Sequence, residues 1–345
     1  MKKDGFCLIL RLNYRSVMMV YDICPEEILT DSLNANSDRI NELNKILKNK
    51  NYDDIRNDYN IFKEMNNICF DKSRTYIIAE KNILLDNAKK DLHNILEKLH
   101  LNSLKSFVDI GCGYGQYPRA SYELGVQKNI GIDIKSNKMW DDYTIKGKCD
   151  YLKINICELA KYERFSLVTS FNAFEHFLEP ELMLEAMSRF VEDFLYIRFY
   201  PIWNDTDGHH MYRKIHVPWW HLIFSDTVVK EYCEKNNIEL NKNIFSQKTV
   251  DFNTNMFNKW HAINYFIMFT KFNKLKLKNI DTHFSHRHIW FLHKFRNVLP
   301  KISNEELLLE GFEVIYQREK ISNHKSSIFD LHKVIDRITS QFNRH

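Results

Sequence analysis

The fold is decided by residues 107–115, which read FVDIGCGYG. The first four residues form a short apolar run of the kind found in buried strands, and three glycines follow at alternate positions. Glycine adopts backbone conformations that other residues avoid, so this spacing predicts a tight turn at the end of a strand. A helix is expected after the turn, as far as about residue 124.

Further strand-like runs follow at regular intervals. They are 129–134, 151–155, 166–170 and 194–199, and a last one is expected at 311–316. A helix is predicted over 180–190, between the fourth and fifth runs. Strands that alternate with helices at this spacing predict an α/β fold with a Rossmann-like, doubly wound parallel sheet.

The flanking segments have helical periodicity. Residues 1–100 are interpreted as a mainly helical N-terminal extension, with short strands as an alternative at 7–12 and 16–20. Residues 101–225 form the predicted core. Residues 226–320 are expected to add helices and a terminal strand that complete the fold or form a lid, and 321–345 a tail helix. Within them, an aromatic helix at 250–272 is a candidate lid or dimer surface, and 271–278 a solvated face.

The composition excludes several classes of protein. Lys and Arg total 49 against 45 Asp and Glu, so a net charge of +4 gives no indication of a nucleic-acid partner. The seven cysteines form no C-x-x-C pair, which favours reduced thiols in the cytoplasm over disulfides or a cysteine zinc site. No run of about 18 uncharged apolar residues occurs, so no membrane span is expected.

Polar residues at the strand ends suggest a nucleoside ligand. Asp133 ends the second run, where its carboxylate can accept both ribose hydroxyl hydrogens, and Asn155 follows the third, near the expected adenine position. A dinucleotide fingerprint would require glycine at position 116, which is Gln116 here. Instead, Asp109 precedes the first glycine by two positions.

This acid-then-glycines order resembles motif I of the class I S-adenosylmethionine-dependent methyltransferases. The resemblance continues through residues 165–176, which are similar to that family's F-D-x-V segment followed by E-H, and it covers about 105–200. Ser166 replaces the usual acid of that segment, and Asn155 replaces the usual aspartate at the adenine position.

The resemblance implies S-adenosylmethionine as cofactor and S-adenosylhomocysteine as product. Asp109 would then organise the turn and bind the methionine amino group, while Phe171 and Asn172 would lie near the reacting methyl. The cofactor-binding residues expected on this basis are Asp109, Gly111, Cys112, Gly113, Tyr114, Gly115, Asp133, Ile134, Asn155, Ile156, Phe171 and Asn172.

A histidine- and tryptophan-rich segment follows the fifth strand. Its G-H-H and P-W-W-H stretches, at 208–210 and 218–221, resemble those of methyltransferases of surface-glycan biosynthesis. Ligands of open α/β sheets bind beyond the carboxyl ends of the strands, so this segment is expected beside the methyl donor.

Three interpretations of the histidines remain open. One of His209, His210 and His221 could be the general base for a hydroxyl acceptor, with Asn172 also in the catalytic set. Alternatively, Glu175 and His176 join His209 or His210 in a metal site. That arrangement would be similar to the E-x-x-E-H pattern of small-RNA 2′-O-methyltransferases, with Asn172 in place of the first glutamate. In the third, these residues are structural. The absence of a metal is favoured.

Trp203, Trp219 and Trp220 are candidates for an acceptor platform or for core residues. The cluster of His286, Arg287 and His288 could contact a phosphate, although a solvated cluster is favoured.

The predicted function is methyl transfer to a sugar hydroxyl in a surface glycan or its nucleotide-linked precursor. The alternatives are a small metabolite, an RNA ribose 2′-hydroxyl, with or without metal assistance, and a cofactor-binding module without transferase activity. The expected partner is a small-molecule or glycan acceptor, and a homodimer is the candidate assembly.

Overall fold

The computed structural model describes residues 24–72, 80–158, 163–211, 213–238 and 258–319. The strands suggested at 7–12 and 16–20 and the tail helix at 321–345 lie outside these residues. Within them, none of the helices has the length and apolar character required to cross a bilayer.

The core is one seven-stranded sheet with the order β3-β2-β1-β4-β5-β7-β6. Neighbouring strands from β3 to β5 pair in parallel, whereas β7 runs antiparallel to both β5 and β6. The strands are β1 Ser106–Ile110, β2 Lys128–Asp133, β3 Cys149–Lys153, β4 Phe165–Phe171, β5 Val191–Phe199, β6 Lys276–Phe284 and β7 Leu309–Gln317.

The helices lie before, between and after the strands. They are α1 Glu26–Ala35, α2 Ser37–Leu47, α3 Tyr52–Ile55, α4 Tyr59–Ile68, α5 Lys81–Lys98, α6 Gln116–Glu123, α7 Met139–Tyr143, α8 Pro180–Phe190, α9 Trp220–Ile223, α10 Asp226–Lys235, α11 Ala262–Lys271, α12 Ile289–Lys294 and α13 Asn304–Leu308. The Rossmann-like prediction is therefore confirmed. The helix predicted at 180–190 has these same bounds, and Pro180 suits its first turn, where a backbone donor is not needed.

Two helices pack on one face of the sheet. Ala88, Leu92 and Ile95 of α5 and Ala120 of α6 are buried there against strand residues that include Phe107. The next residue of β1, Val108, lies in the core of the opposite face, with α8 and α11. Every residue of β1 and β4 is buried, as expected for central parallel strands covered on both faces.

A third core joins segments that are distant in sequence. Phe62 of α4 packs with Phe224 and Tyr232, and the same cluster includes residues of α1, α2, α12 and α13. The N-terminal helices and the segment after β5 thus share one apolar interior. This packing crosses the boundaries expected near residues 100 and 225.

The C-terminal third differs from expectation at two elements. The segment at 271–278 was predicted to be a solvated face, but β6 begins at Lys276 and pairs with β7. Its lysines are exposed and Leu277 is buried, an alternation that suits the edge of a sheet. Of the aromatic helix predicted at 250–272, residues 250–257 lie outside the described residues, 258–261 are not helical, and α11 covers Ala262–Lys271.

Candidate functional site

The glycine turn between β1 and α6 has the geometry that its sequence predicts. Gly111, Gly113 and Gly115 all have positive φ angles, of 74°, 50° and 86°. A Cβ atom added to Gly111 would lie 2.6 Å from the Cβ of Ala173, and one added to Gly115 would lie 2.5 Å from the ring of Tyr151. Both contacts are too short for any side chain, so these positions require glycine.

Asp133 joins the end of β2 to this turn. The Gly113 amide donates to its Oδ2 at 3.0 Å, and the Lys135 amide donates to Oδ1 at 3.0 Å. Each carboxylate oxygen has a second lone pair, and Asp133 is only partly buried. The carboxylate can therefore still accept hydrogen bonds from a ligand.

Asp109 lies behind the turn and is 1% exposed. The Thr169 hydroxyl donates to its Oδ1 at 2.9 Å. Burial raises the pKa of Asp109 well above its ordinary value. The Thr169 hydrogen bond opposes this shift, and the charge of Asp133 adds to it. In front of the turn, Tyr114 is 46% exposed, whereas Cys112 is buried.

Two aromatic residues that the sequence analysis missed hold the carbonyl groups of the turn. The Trp140 indole donates to the Gly113 carbonyl at 2.9 Å, and the Tyr151 hydroxyl donates to the Gly115 carbonyl at 2.7 Å. The two rings stack with centroids 5.3 Å apart. They fix the turn from the side of β3, and no local motif marks them.

The residues expected near adenine lie close to the end of β2. The Ile154 amide donates to the Asp133 carbonyl at 2.9 Å, which brings the segment after β3 against β2. Asn155 uses its Oδ1 to accept from the Cys157 amide at 3.1 Å, and Ile156 is buried. Ile134 is 59% exposed, so its side chain is open to contact with a ligand. Contact of these residues with adenine stays a prediction.

At the end of β4, Phe171 and Asn172 have different environments. Phe171 is buried and stacks on Tyr117 with centroids 3.7 Å apart. Asn172 is exposed, has a φ of 48°, and donates its amide to the Arg198 carbonyl at 2.8 Å. Asparagine tolerates this left-handed conformation better than most residues.

The structure brings together Glu175, His176 and His210, whose ligand atoms all lie within 4.8 Å of one another. Glu175 and His176 belong to a short 3-10 turn, Phe174–His176, after β4, and His210 comes from the loop after β5. Burial raises the pKa of Glu175 to about 8. Burial also lowers the pKa of His210 to about 3, with a smaller contribution from His176.

The other two histidines of the segment lie outside this cluster. His209 accepts the Met211 amide on Nδ1 at 2.8 Å, so its hydrogen is on Nε2 when the ring is neutral. His221 has Nε2 2.7 Å from the Trp203 carbonyl, so Nε2 carries the hydrogen and Nδ1 is the unprotonated nitrogen. Burial lowers the pKa of His221 to about 4, and the charge of Lys259 acts in the same direction.

The tryptophans divide into core and surface residues. Trp219 is 1% exposed and donates to the carbonyls of Asn204 and Leu307, and Trp220 is also buried. Both belong to the third core, which corrects their assignment as an acceptor platform because neither has an open ring face. Trp203 is only partly buried, and the Lys259 ammonium lies 4.9 Å from its ring centroid.

The cluster at 286–288 lies near the same loop. Arg287 pairs with Asp207, with 2.6 Å between Nη1 and Oδ2. A phosphate would therefore have to share this guanidinium with a carboxylate. The structure thus adds no support for a phosphate contact.

The strand order and the glycine turn with its carboxylates define a Rossmann-like α/β fold, the fold of class I methyltransferases. A family model described as mycolic acid cyclopropane synthetase matches residues 47–195 of the chain. No curated protein sequence matches this chain.

Several solved structures are similar to the chain. Magnesium protoporphyrin IX methyltransferase from Synechocystis PCC 6803, with bound S-adenosylhomocysteine, is 13% identical over 68% of this chain and 83% of its own, with a TM-score of 0.38. The N-methyltransferase NodS from Bradyrhizobium japonicum is 10% identical over 68% of this chain and 98% of its own, with a TM-score of 0.33. A Burkholderia thailandensis 1,6-didemethyltoxoflavin N1-methyltransferase is 11% identical over 70% of this chain and 80% of its own, with a TM-score of 0.34.

Proposed function

We propose that the protein transfers the methyl group of S-adenosylmethionine to a hydroxyl oxygen of a sugar, in a surface glycan or in its nucleotide-linked precursor. The proposal has two parts, the methyl donor and the acceptor. The observation that supports the donor part is the hydrogen bond from the Gly113 amide to the Asp133 carboxylate. It joins the carboxyl ends of β1 and β2, which is where open α/β sheets bind nucleotides.

The residues around the turn fit the parts of the donor. Asp133 has lone pairs available for the two ribose hydroxyls, and Asp109 is the candidate partner of the methionine amino group. Ile134 and Asn155 are the candidates beside the adenine. The cofactor supplies a methyl group already activated on its sulfonium, so these residues contribute chiefly by positioning.

On the acceptor side, one histidine is the best candidate for the general base. Transfer to a hydroxyl requires that the oxygen lose its proton. His221 has an unprotonated Nδ1 without a hydrogen-bond partner among the described residues, whereas Nδ1 of His209 is used by the Met211 amide. Since the pKa of His221 is about 4, the ring stays neutral at physiological pH and its basicity is low.

The sugar assignment is supported by an aromatic ring beside this histidine. The rings of Trp203 and His221 have centroids 4.7 Å apart, and Trp203 is partly exposed. Aromatic faces pack well against the apolar C–H faces of sugars. Trp219 and Trp220 are buried, so Trp203 is the remaining candidate for a platform that binds the acceptor.

The donor half is tested by isothermal titration of the full chain with S-adenosylmethionine. Asp133→Ala removes a charged acceptor of two hydrogen bonds, each contributing about 1.5–3 kcal/mol. We therefore expect at least about 100-fold weaker binding. Asp141→Ala, which removes an exposed carboxylate from α7, is the matched control. Equal affinity of the Asp133 variant and the wild type would contradict the assignment of the donor site.

The acceptor half is tested with S-adenosylmethionine tritiated on its methyl group. The enzyme is offered nucleotide sugars, an oligosaccharide panel and total RNA in parallel, with Asp133→Ala as the inactive control. Tritium in the sugar fractions supports the proposal. Tritium confined to RNA would assign the acceptor to ribose, and intact binding without any transfer would indicate a cofactor-binding module.

A further inference from the structure

Glu175 has a costly environment that the donor site does not explain. Its side chain is 1% exposed, and neither carboxylate oxygen has a hydrogen-bond partner among the described residues. The imidazole Nε2 of His176 is 3.7 Å from Oε1, which is beyond hydrogen-bonding distance. Buried carboxylates are normally paired or bind a cation, because desolvation without compensation costs several kcal/mol.

The backbone around Glu175 is held firmly in place. The Asn258 amide donates to the Glu175 carbonyl at 3.0 Å, and the Asn258 side chain donates to the carbonyls of Phe174 and Phe177 at 2.9 Å each. His210 has a φ of 55° and donates its amide to the Asp207 carbonyl at 2.9 Å. The side chains thus converge from two fixed segments.

We propose that Glu175, His176 and His210 bind a divalent transition-metal ion. Two imidazoles and one carboxylate are a donor set of catalytic zinc sites and of non-haem iron sites, both of which leave positions open for an exogenous ligand. Metal–ligand bonds of about 2.0–2.1 Å place neighbouring ligand atoms roughly 3.0–3.4 Å apart. The ligand atoms of the three residues now lie within 4.8 Å of one another, so small side-chain rotations are sufficient to bring them to these distances. This assignment departs from the expectation that no metal is bound.

The cluster of Glu175, His176 and His210 lies beside the glycine turn. A Cβ atom at Gly111 would lie 2.6 Å from the Cβ of Ala173 and 3.6 Å from the ring of Phe177, so the segment that carries Glu175 packs directly against the turn. The loop that carries His210 follows β5, the neighbour of β4 in the sheet. The ion would thus lie on the acceptor side of the methyl donor.

This position implies a role that rests on the proposed function. An open coordination position would take the acceptor hydroxyl oxygen, and the ion's charge would lower the pKa of that hydroxyl. The hydroxyl proton passes to the unprotonated Nδ1 of His221, the candidate general base. The oxygen then forms its bond to the methyl carbon as the sulfur–carbon bond breaks, and neutral S-adenosylhomocysteine leaves.

The test is a titration of the full chain, stripped with EDTA, with Co(II), whose visible absorption reports coordination by protein ligands. We expect one saturable site. Glu175→Gln, His176→Ala and His210→Ala should each weaken it by about 100-fold or more, since even outer residues of metal sites contribute 10–100-fold. The matched control is the double variant His93→Gln and Glu97→Gln, an exposed pair on α5 with 3.3 Å between Nε2 and Oε1.

Titration of the same samples with S-adenosylmethionine separates the two proposals. Variants that bind the methyl donor normally are folded, so their loss of Co(II) binding is specific. If Glu175→Gln does not fold, the two histidine variants still test the metal site. Absence of a saturable site, or wild-type Co(II) affinity in both histidine variants, would overturn the metal proposal and leave the donor proposal intact. Failure of the wild type to bind the methyl donor would contradict the proposed function instead.

Discussion

Gly111 experiences two separate constraints at the scale of a single residue. Its φ of 74° lies in the left-handed region, and Ala173 occupies the space where a side chain would project. The left-handed conformation costs an L-residue roughly 1–2 kcal/mol. Overpacking in a tight interior adds roughly 1–3 kcal/mol. The turn thus depends on glycine for its conformation and for its contact with the segment after β4.

Gly111→Ala is expected to destabilise the protein by about 2–5 kcal/mol, because both penalties apply. The measurement is urea unfolding followed by circular dichroism, at equal protein concentration. Gly147→Ala is the matched control, because Gly147 has a φ of 76° but nothing within 4 Å of the added Cβ. It should lose only about 1–2 kcal/mol. Equal losses in the two variants would show that the contact with Ala173 is unimportant.

At the scale of elements, α5 is attached to the sheet by a polar contact as well as by its apolar face. Asp91 accepts from the Tyr117 hydroxyl at 2.8 Å and from Nη2 of Arg198 at 2.6 Å. The Arg198 side chain is 18% exposed, and its guanidinium lies 5.2 Å from the centroid of Phe171. One carboxylate thus connects α5, α6 and β5 beneath the end of β4.

Asp91→Ala should destabilise the protein by about 2 kcal/mol, because it leaves a largely buried guanidinium without its carboxylate. Arg198→Met removes the charge as well, so the double variant should lose less than the sum of the single variants. A double-mutant cycle by urea unfolding should give a coupling energy of about 1–3 kcal/mol. A coupling near zero would mean that the ion pair does not secure α5.

Prediction of the elements from sequence succeeded where a pattern was local and strong. The helix that begins at Pro180 and the strand that leads into Gly111 have such patterns. The edge strand β6 was missed because its lysines and buried Leu277 alternate within a charge-rich segment. Its identity as a strand comes from pairing with β7, which is a tertiary contact.

At the scale of the whole molecule, the third core is built from parts of the chain that are far apart. Phe62 is fully buried between Phe224 and Tyr232, at centroid distances of 4.8 and 4.9 Å. The Asn66 side chain donates a hydrogen bond to the Tyr232 hydroxyl and accepts one from the His216 amide. The N-terminal helices therefore support the segment that contains the candidate acceptor-side histidines.

Phe62→Ala should cost about 3–5 kcal/mol locally, as large-to-small changes in cores do. In hydrogen–deuterium exchange, α10 should lose protection together with α4, while β1 and β4 should not change. Phe70→Ala is the control, because the same substitution there removes a side chain that is 48% exposed. Loss of protection in α4 alone would show that the third core does not unfold as a unit.

Local sequence patterns are sufficient to predict the five parallel strands, the glycine turn and the position of Asp133. These features depend on local chemistry: glycine is required at a left-handed turn, and polar residues at the ends of parallel strands meet at one edge of the sheet. Burial of Trp219 and the support of the turn by Trp140 depend on tertiary packing and have no local sequence signal.

The convergence of Glu175 with His210 shows the limit of the sequence most clearly. The sequence marked both as candidate ligands but left several histidines equivalent. The pairing of β4 with β5 and the packing of two loops selected His210 over His209. Side-chain convergence depends on which strands become neighbours and how their loops pack, and residue spacing along the chain does not encode that distance.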